Sequence, residues 1–366
     1  MINQATEVTN RRRYFMQTDM HYYGTYAMAR AAGLDKDACF IIATAAQFVD
    51  DHANKDTIKF GDGARIDTEA TAHHTKDYHN LKENDQRMVW VPFHFLPGNE
   101  GDTYQERMVC RKDSNIAKAM VEHALSLHDK VYALPMIGIA AHVYADTFSH
   151  HGFSGYKSSV NRVDQNTFQF NDDHSLDIIG YVQRKARRLF ETFEANIADD
   201  ASEMGHGAVA TFPDRPYLKW SFSYEDRPDK IVERNNPKDF LDGCRALHSM
   251  FCKFSELLPD YKSDKGKSFD EIKPIVRNVL SYEAEMSERI DAWKNAALDG
   301  QLFANGREEI PDYDESLWHN QRISLANQSD SEVAISEPIF QFYQAASVHR
   351  NFVLRDLLPE NNLVAH

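Results

Sequence analysis

The sequence predicts an all-α protein, a multi-helix bundle around a central metal-ligand helix with one long irregular loop region. Apolar residues recur at helical spacing along most of the chain, in runs bounded by capping residues and glycines. The run PMIGIAAHVYADTFSH, from Pro135 to His150, carries almost no charge and many small residues, as expected for a helix in the middle of a protein. With 366 residues, the chain is long enough to bury a sizeable core around that helix.

Capping residues mark where the helices begin. Asp19 can cap the run MHYYGTYAMARAA, which Gly33 then ends, and Asp35 can cap a second helix that ends in the acidic pair Asp50 and Asp51. Further helices are predicted near residues 114–128, 135–150, 175–198, 237–258, 267–298 and 335–357.

Residues 52–111 look irregular, except that RMVWVPFHFLPG predicts a short strand or extended segment, which Pro92 keeps at an edge. The whole chain is predicted to comprise a flexible N-terminus at 1–18, a metal-binding helical core at 19–232, and a C-terminal helical region at 233–366 packed on that core.

Composition excludes several classes of function. A formal net charge of −15 argues against tight binding of nucleic acid, because phosphate neutralisation needs a basic surface. No stretch approaches the length of a transmembrane helix, and no apolar segment follows the basic residues near the N-terminus. The four cysteines include no CxxC pair, which is typical of reduced thiols in a cytoplasmic protein. Delivery by a specialised secretion machine would leave no mark in the sequence, and nothing in it sets the oligomeric state.

The strongest chemical signal is the triplet His142, Asp146 and His150. Their spacing of four residues turns each side chain by only about 40° relative to the last, so all three project from one helix face. Burying an unpaired carboxylate and two imidazoles among apolar residues costs roughly 2–7 kcal/mol per polar group unless something compensates them. A divalent cation does so, and these ligands suit Zn²⁺, with Mn, Fe or Ni as alternatives. The competing interpretation is a buried hydrogen-bond network without metal.

Other segments place ligand-type residues in similar aromatic or small-residue settings. Asp50 and Asp51 end an apolar helix, where they would repel each other unless a cation neutralises them. His206 lies between two glycines, where the backbone can approach a site closely. Each has an ordinary structural reading as a cap, solvated helix end or turn residue, so the prediction rests on their joint occurrence. The further candidates of this kind are Asp19, His21, His73 with its neighbour His74, and His94.

The segments TDMHYYGTYAMARAAG, AAQFVDD, TAH, VWVPFHFLPG, GIAAHVYADTFSHHGFSG and MGHGAVATFPDRPYLKW resemble an uncharacterised family of bacterial proteins over roughly the first 220 residues. More distantly, the chain resembles the superfamily of zinc-dependent phospholipase C and P1-type nuclease, all-α enzymes with a three-metal cluster of His and Asp ligands.

That resemblance implies roles for individual residues. His142 and Asp146 would form the helical HxxxD pair, with Asp146 bridging two metals. Asp50 would match the aspartate at a helix end, and His73 or His94 the loop histidine. The remaining metal would be held by His150 and His206.

Two departures separate this chain from the superfamily pattern. There, the mature N-terminal amine and carbonyl bind metal; here the matching segment begins inside the chain, so Asp19 and His21 would have to replace them. The second pair of a histidine followed by an acid has no clear counterpart after His150. The number of divalent metals is therefore left between one and three.

The resulting prediction is metal-assisted hydrolysis of a small or lipid phosphoester, with Asp50 or Asp51 orienting the attacking water or accepting its proton. Two alternatives stay open. An HD-type phosphohydrolase needs an adjacent His–Asp pair on a helix, and His128–Asp129, the only such pair, reads as a surface helix end. A non-catalytic protein would use its metal structurally, in a closed site.

Overall fold

The computed structural model describes residues 18–53, 55–73, 86–202, 204–263 and 265–365, and gives the side chains of α5, below, only as far as residue 191. The predicted flexible N-terminus lies outside the described residues apart from Thr18, and so does His74.

Most of the described chain is helical. The helices of seven residues or more are α1 (Thr25–Ala31), α2 (Lys36–Asp51), α3 (Asn115–Ser126), α4 (Ala133–Ser149), α5 (Leu176–Ser202), α6 (Asn236–Leu257), α7 (Phe269–Leu280), α8 (Met286–Leu298), α9 (Ser316–Leu325) and α10 (Pro338–Asn351). Shorter α-helical or π-helical turns are Asp19–Gly24, Gln86–Trp90, Val91–Phe93, Tyr104–Arg107, Phe352–Leu357 and Leu358–Glu360, and 3₁₀ turns are Ser159–Asn161, Gly207–Val209, Pro259–Tyr261 and Ser331–Ala334. The predicted caps Asp35 and Ser114 are present, since their side chains accept hydrogen bonds from the backbone N–H groups of Ala38 and Ala117.

The all-α prediction is wrong, because the chain also forms two small antiparallel sheets. One pairs β1 (Thr57–Lys59) with β2 (Arg65–Asp67); the other has the order β3-β4-β5, with β3 (Val163–Phe170), β4 (Lys219–Tyr224) and β5 (Arg227–Asn235). The inner strand β4 alternates apolar and small polar residues, as a half-buried strand requires. This strand buries Trp220, Phe222 and Tyr224 in a hydrophobic cluster that also includes residues of α5 and is separate from the larger core around α4, described below.

The segment RMVWVPFHFLPG is the second correction. It was expected to be extended, but it forms the helical turns Gln86–Trp90 and Val91–Phe93. Pro92 lies within the first two residues of the latter turn, where its missing N–H costs no hydrogen bond. The turn ends at His94, so the local helix directs that imidazole towards the protein interior.

The central helix of the bundle is α4, as predicted, and all of its residues are buried. It packs against α2, α3, α6 and α10. Gly138 allows the closest of these approaches, because a Cβ there would lie 2.5 Å from the Ile42 carbonyl oxygen and 2.7 Å from the Ala45 Cβ of α2. The close crossing brings the last turn of α2 against the second half of α4, where the candidate ligands lie.

The hydrophobic core around α4 joins both halves of the chain. It includes Ile42 and Ile139 from the first half and Phe251 and Ile339 from the second. The proposed boundary between residues 232 and 233 falls inside β5, so the three-stranded sheet spans it. No helix among the described residues has the length and apolarity needed to cross a membrane.

Candidate metal centre

Two helices and three irregular segments bring eight ionisable side chains together. His142 and Asp146 project from α4, and Asp50 from the end of α2. The other residues come from the turn before α1, the end of the Val91–Phe93 turn, the C-terminal cap of α4 and the loop that follows α5. They are His21, His94, His150, His206 and Asp214.

Asp146 lies at the centre of the larger group and is fully buried. Its Oδ2 is 3.3 Å from both His94 Nδ1 and His142 Nε2, and its Oδ1 is 3.3 Å from His21 Nε2. Neither oxygen makes a hydrogen bond of acceptable geometry with any described residue. A buried carboxylate therefore faces three imidazoles without the hydrogen bonds that would normally compensate its burial.

Asp50 lies near the same three imidazoles, at somewhat longer distances. Its Oδ1 is 3.8 Å from His94 Nδ1 and 3.9 Å from His142 Nε2, whereas its Oδ2 is 3.9 Å from His21 Nε2. Each of the two aspartates thus directs one oxygen towards His94 and His142 and the other towards His21. Such paired carboxylates are suited to bridging two neighbouring cations.

The smaller group consists of His150, His206 and Asp214. Asp214 Oδ1 is 3.2 Å from His150 Nε2 and 3.6 Å from His206 Nε2. Gly205, with φ of +53°, lets this loop come close, because a Cβ there would lie 2.6 Å from the Phe95 ring. Asp214 was missed from the sequence, although it lies eight residues after His206 in a segment already singled out.

Four of the imidazoles are oriented by backbone carbonyls. In each of these rings one nitrogen, called the outer nitrogen here, lies 2.7–2.9 Å from a backbone carbonyl oxygen, and the other, inner nitrogen faces the neighbouring ligands. The histidine–carbonyl pairs are His94–Thr71, His142–Ala46, His150–His94 and His206–Ala210. A carbonyl only accepts, so each outer nitrogen carries the proton and, in the neutral ring, leaves a lone pair on the inner nitrogen. Metal-binding histidines are oriented in the same way.

Electrostatics keep two of the inner nitrogens unprotonated. Burial lowers the pKa of His94, and burial together with the neighbouring His21 lowers the pKa of His142 to about 4. Their inner lone pairs consequently face each other across 3.2 Å near neutral pH, which is unfavourable unless a cation lies between them.

His150 has the opposite charge state in the absence of metal. Burial alone would lower its pKa, but the carboxylates of Asp146 and Asp214 outweigh burial and raise it to about 9. Burial likewise opposes ionisation of Asp146, yet His150 and His142 hold the pKa of that carboxyl well below its ordinary value. His206 and His150 lower the pKa of Asp214 in the same way, so two ionised carboxylates, Asp146 and Asp214, lie inside the protein and attract positive charge.

The donor atoms fit a transition metal. His94 Nδ1, His142 Nε2 and Asp146 Oδ2 form a triangle with edges of 3.2, 3.3 and 3.3 Å. Tetrahedral zinc with bonds of about 2.0–2.1 Å has ligand–ligand edges of roughly 3.3–3.4 Å. Nitrogen and carboxylate donors in this combination suit Zn²⁺, and Mn, Fe or Ni would also accept them.

Three sequence candidates lie outside these groups. Asp19 pairs with Arg289 of α8, whose Nε is 2.7 Å from its Oδ2. Asp51 accepts a short hydrogen bond from the Tyr313 hydroxyl. His73 is buried with its ring 6.5 Å from that of Trp90, in none of the metal-ligand groups found among the described residues. Of the two loop histidines, the structure therefore brings His94 to the cluster.

The His128–Asp129 pair lies at the surface, as its sequence setting indicated. His128 Nδ1 is 3.1 Å from the Leu125 carbonyl oxygen of the preceding helical turn, and the exposed Asp129 pairs with Lys130. This geometry gives no support to an HD-type centre.

Searches of curated proteins and of solved structures each returned no significant match. A sequence family does match: residues 16–357 correspond to the family described as "Family of unknown function (DUF6765)". The match covers both halves of the helical bundle and every residue of the two ligand groups. The chain therefore belongs to this family of unknown function.

Proposed function

We propose that this protein is a metal-dependent hydrolase that acts on a small or lipid phosphoester. The observation that carries the proposal is the pair of carboxylates, Asp50 and Asp146, each directed at His94 and His142 on one side and at His21 on the other. These residues would hold two divalent ions. His150, His206 and Asp214 would hold another. The choice of a phosphoester rests on the sequence resemblance to zinc-dependent phospholipase C and P1-type nuclease.

Bound divalent ions would supply Lewis acidity towards the phosphoryl group and lower the pKa of water towards about 7. Asp50 lies at the end of α2 with its side chain 7 % exposed, and its carboxylate would orient a water molecule and accept its proton. Asp51 cannot share this task without giving up the hydrogen bond from Tyr313. The backbone carbonyls behind the histidines fix the rings and exclude other tautomers.

A second candidate is a non-catalytic protein with a structural metal. The near-complete burial of all eight ligand side chains favours it, because structural sites are closed whereas catalytic sites keep an open position. The two functions differ in how readily the bound metal exchanges, because a structural ion should resist a chelator until the protein unfolds.

The four cysteines are free, in keeping with the proposed cytoplasmic location.

The test is Asp146→Asn, because Asn keeps the shape of the side chain and removes the charge. We expect purified wild-type protein to contain at least one transition metal per chain and to hydrolyse a chromogenic phosphodiester. The variant should lose at least one metal and its turnover should fall by orders of magnitude, while its circular dichroism stays that of the wild type. Elemental analysis, circular dichroism and turnover are measured on the same preparations.

A matched control is His349→Gln, at another buried histidine whose ring bonds a carbonyl, that of Pro92, but which belongs to neither ligand group. It should keep its metal. Full metal occupancy in Asp146→Asn would contradict the assignment of this residue. Metal loss together with an inactive wild type would favour the structural role.

A further inference from the structure

Two cations outside the ligand groups converge on one aromatic ring. The Arg215 guanidinium carbon is 5.1 Å from the centroid of the Tyr181 ring, and Lys185 Nζ is 5.5 Å from the same centroid. Tyr181 and Lys185 lie one turn apart on α5 and are both half-buried, whereas Arg215 is only 2 % exposed. The group therefore extends from the surface into the interior.

Neither cation forms an ion pair with a carboxylate within the part of the chain that the structure describes. Arg30 and Arg289 are buried too, but each pairs with a carboxylate, Glu308 or Asp19, at 2.7 Å. No described carboxylate lies within 4.0 Å of the charged nitrogens of Arg215 or Lys185.

The hydrogen bonds of Arg215 are also incomplete. Its two terminal nitrogens donate to the Tyr217 hydroxyl at 3.2 Å and the Thr211 hydroxyl at 3.1 Å, and its buried Nε has no partner among the described residues. Hydroxyl partners carry no opposite charge, and the Asp19 carboxylate, which pairs with Arg289, interacts with Arg215 only from beyond ion-pair distance. A buried guanidinium without a paired carboxylate is costly. Among the described residues no carboxylate pairs with Arg215, and its buried Nε still has a hydrogen bond to donate, which leaves a place for an external anion.

The anion site adjoins the ligand groups. Arg215 directly follows Asp214, and consecutive Cα atoms are about 3.8 Å apart. Thr211, which holds one arm of the guanidinium, belongs to the same loop as His206 and Asp214. We propose that Arg215 and Lys185, arranged around Tyr181, bind the anionic phosphate group of a small phosphoester. As a substrate site this rests on the proposed function; as an anion site it stands by itself.

Guanidinium and ammonium groups make strong charge-assisted hydrogen bonds to phosphate oxygens. The test is calorimetric titration of inorganic phosphate into the protein at low ionic strength, in metal-free and in metal-loaded form. We expect Lys185→Gln and Arg215→Gln each to weaken phosphate binding about tenfold or more in both forms. Phosphate held by metal alone would not respond to Lys185→Gln.

Lys185→Gln should leave the fold intact even if Arg215→Gln does not, because the Lys185 side chain is half-buried and forms no ion pair with a described residue. Lys253→Gln is the control, since Lys253 is exposed and pairs with Glu122 at 2.6 Å, and it should bind phosphate like the wild type. Absence of phosphate binding by the wild type in both forms would overturn the proposal, and so would equal affinities of wild type and Lys185→Gln.

The failure of one proposal is distinguishable from that of the other. If phosphate binding depends on Lys185 but the metal-loaded protein cleaves no phosphodiester, the result contradicts the hydrolase proposal and supports the anion site. Diester hydrolysis with phosphate binding insensitive to both substitutions would do the reverse.

Discussion

Asp50 and Asp51 are adjacent in the chain, yet their carboxylates have different surroundings. Asp50 faces His21, His94 and His142, whereas the hydroxyl of Tyr313 donates to Asp51. Since successive helix residues point about 100° apart, only one of two neighbours can face the centre. The sequence leaves open which of the two aspartates acts at the centre, and substituting each of them in turn tests this.

We expect Asp50→Asn to remove metal and Asp51→Asn to retain it. The first substitution removes a charge directed at three imidazoles; the second exchanges a hydrogen bond that an amide oxygen can still accept, and should cost about 1–3 kcal/mol of stability. Metal content by elemental analysis and the free energy of unfolding in urea are measured for both. Equal metal loss in the two variants would contradict the different roles.

At the residue scale, regular spacing carried the prediction. Helical periodicity alone predicts that the side chains of His142, Asp146 and His150 lie close together, because a helix fixes which side chains share a face. Asp214 did not follow, because its position relative to His150 depends on how an irregular loop folds back. Asp19 shows the converse: its place at a helix start among aromatic and small residues suggested a ligand, but its partner Arg289 is 270 residues away.

Among the elements, the contact between α2 and α4 has the greatest consequence for the centre. His142 lies one turn after Gly138, and its ring donates to the Ala46 carbonyl of α2. The glycine thus sets the separation at which that hydrogen bond forms, since a Cβ would meet backbone atoms of α2 rather than a movable side chain.

Gly138→Ala should therefore destabilise the protein and weaken metal binding, although alanine is the better helix former. Overpacking of a core contact typically costs about 1–3 kcal/mol, which exceeds the roughly 1 kcal/mol gained in helix propensity. The control is Gly180→Ala in α5, where the nearest atom is the movable end of the Arg184 side chain at 3.2 Å and the substitution should stabilise. The free energy of unfolding in urea and the affinity for zinc are measured for the wild type and both variants. A stabilised Gly138→Ala protein with unchanged zinc affinity would contradict this interpretation.

The helices were largely predictable because their periodicity and caps are local. The strands were not recognised, although KWSFSY alternates apolar and polar residues over β4. Its neighbours lack that alternation, since β3 is largely half-buried and β5 mostly exposed, so both depend on pairing with β4 across the chain. Pairing between distant segments is a tertiary effect, which a local pattern does not contain.

For the whole molecule, the described residues after Asp214 contribute support rather than ligands. None of the metal-ligand groups among the described residues includes a position after Asp214, yet Arg289 and Tyr313 engage the two aspartates that the centre does not use. The helices after Asp214 therefore pair with side chains beside the centre and supply no ligand among the described residues. This pairing also explains why one core joins both halves, since the partners of Asp19 and Asp51 must be held in place by packing.

Burial of neutral histidines outside the centre predicts how stability depends on pH. Burial lowers the pKa of His349 to about 4, and burial with the nearby His319 lowers the pKa of His52 to about 3, whereas an unfolded histidine titrates near 6.5. As the pH falls from about 6.5 towards 4, the unfolded chain binds these protons before the folded protein does. Stability is therefore fully present above pH 6.5 and is lost through this window, by up to about 3 kcal/mol per pH unit for the two groups together.

Urea unfolding of chelator-treated protein between pH 7.5 and 4.5 measures this slope, and His349→Gln isolates one histidine. Glutamine keeps an N–H donor for the Pro92 carbonyl but binds no proton, so the slope of the variant should be shallower by about 1.4 kcal/mol per pH unit. The ligand histidines titrate in both proteins, and their contribution cancels in the difference. A slope unchanged by His349→Gln would mean that this ring takes up its proton equally in the folded and unfolded states, contrary to its burial against Phe93 and the Pro92 carbonyl.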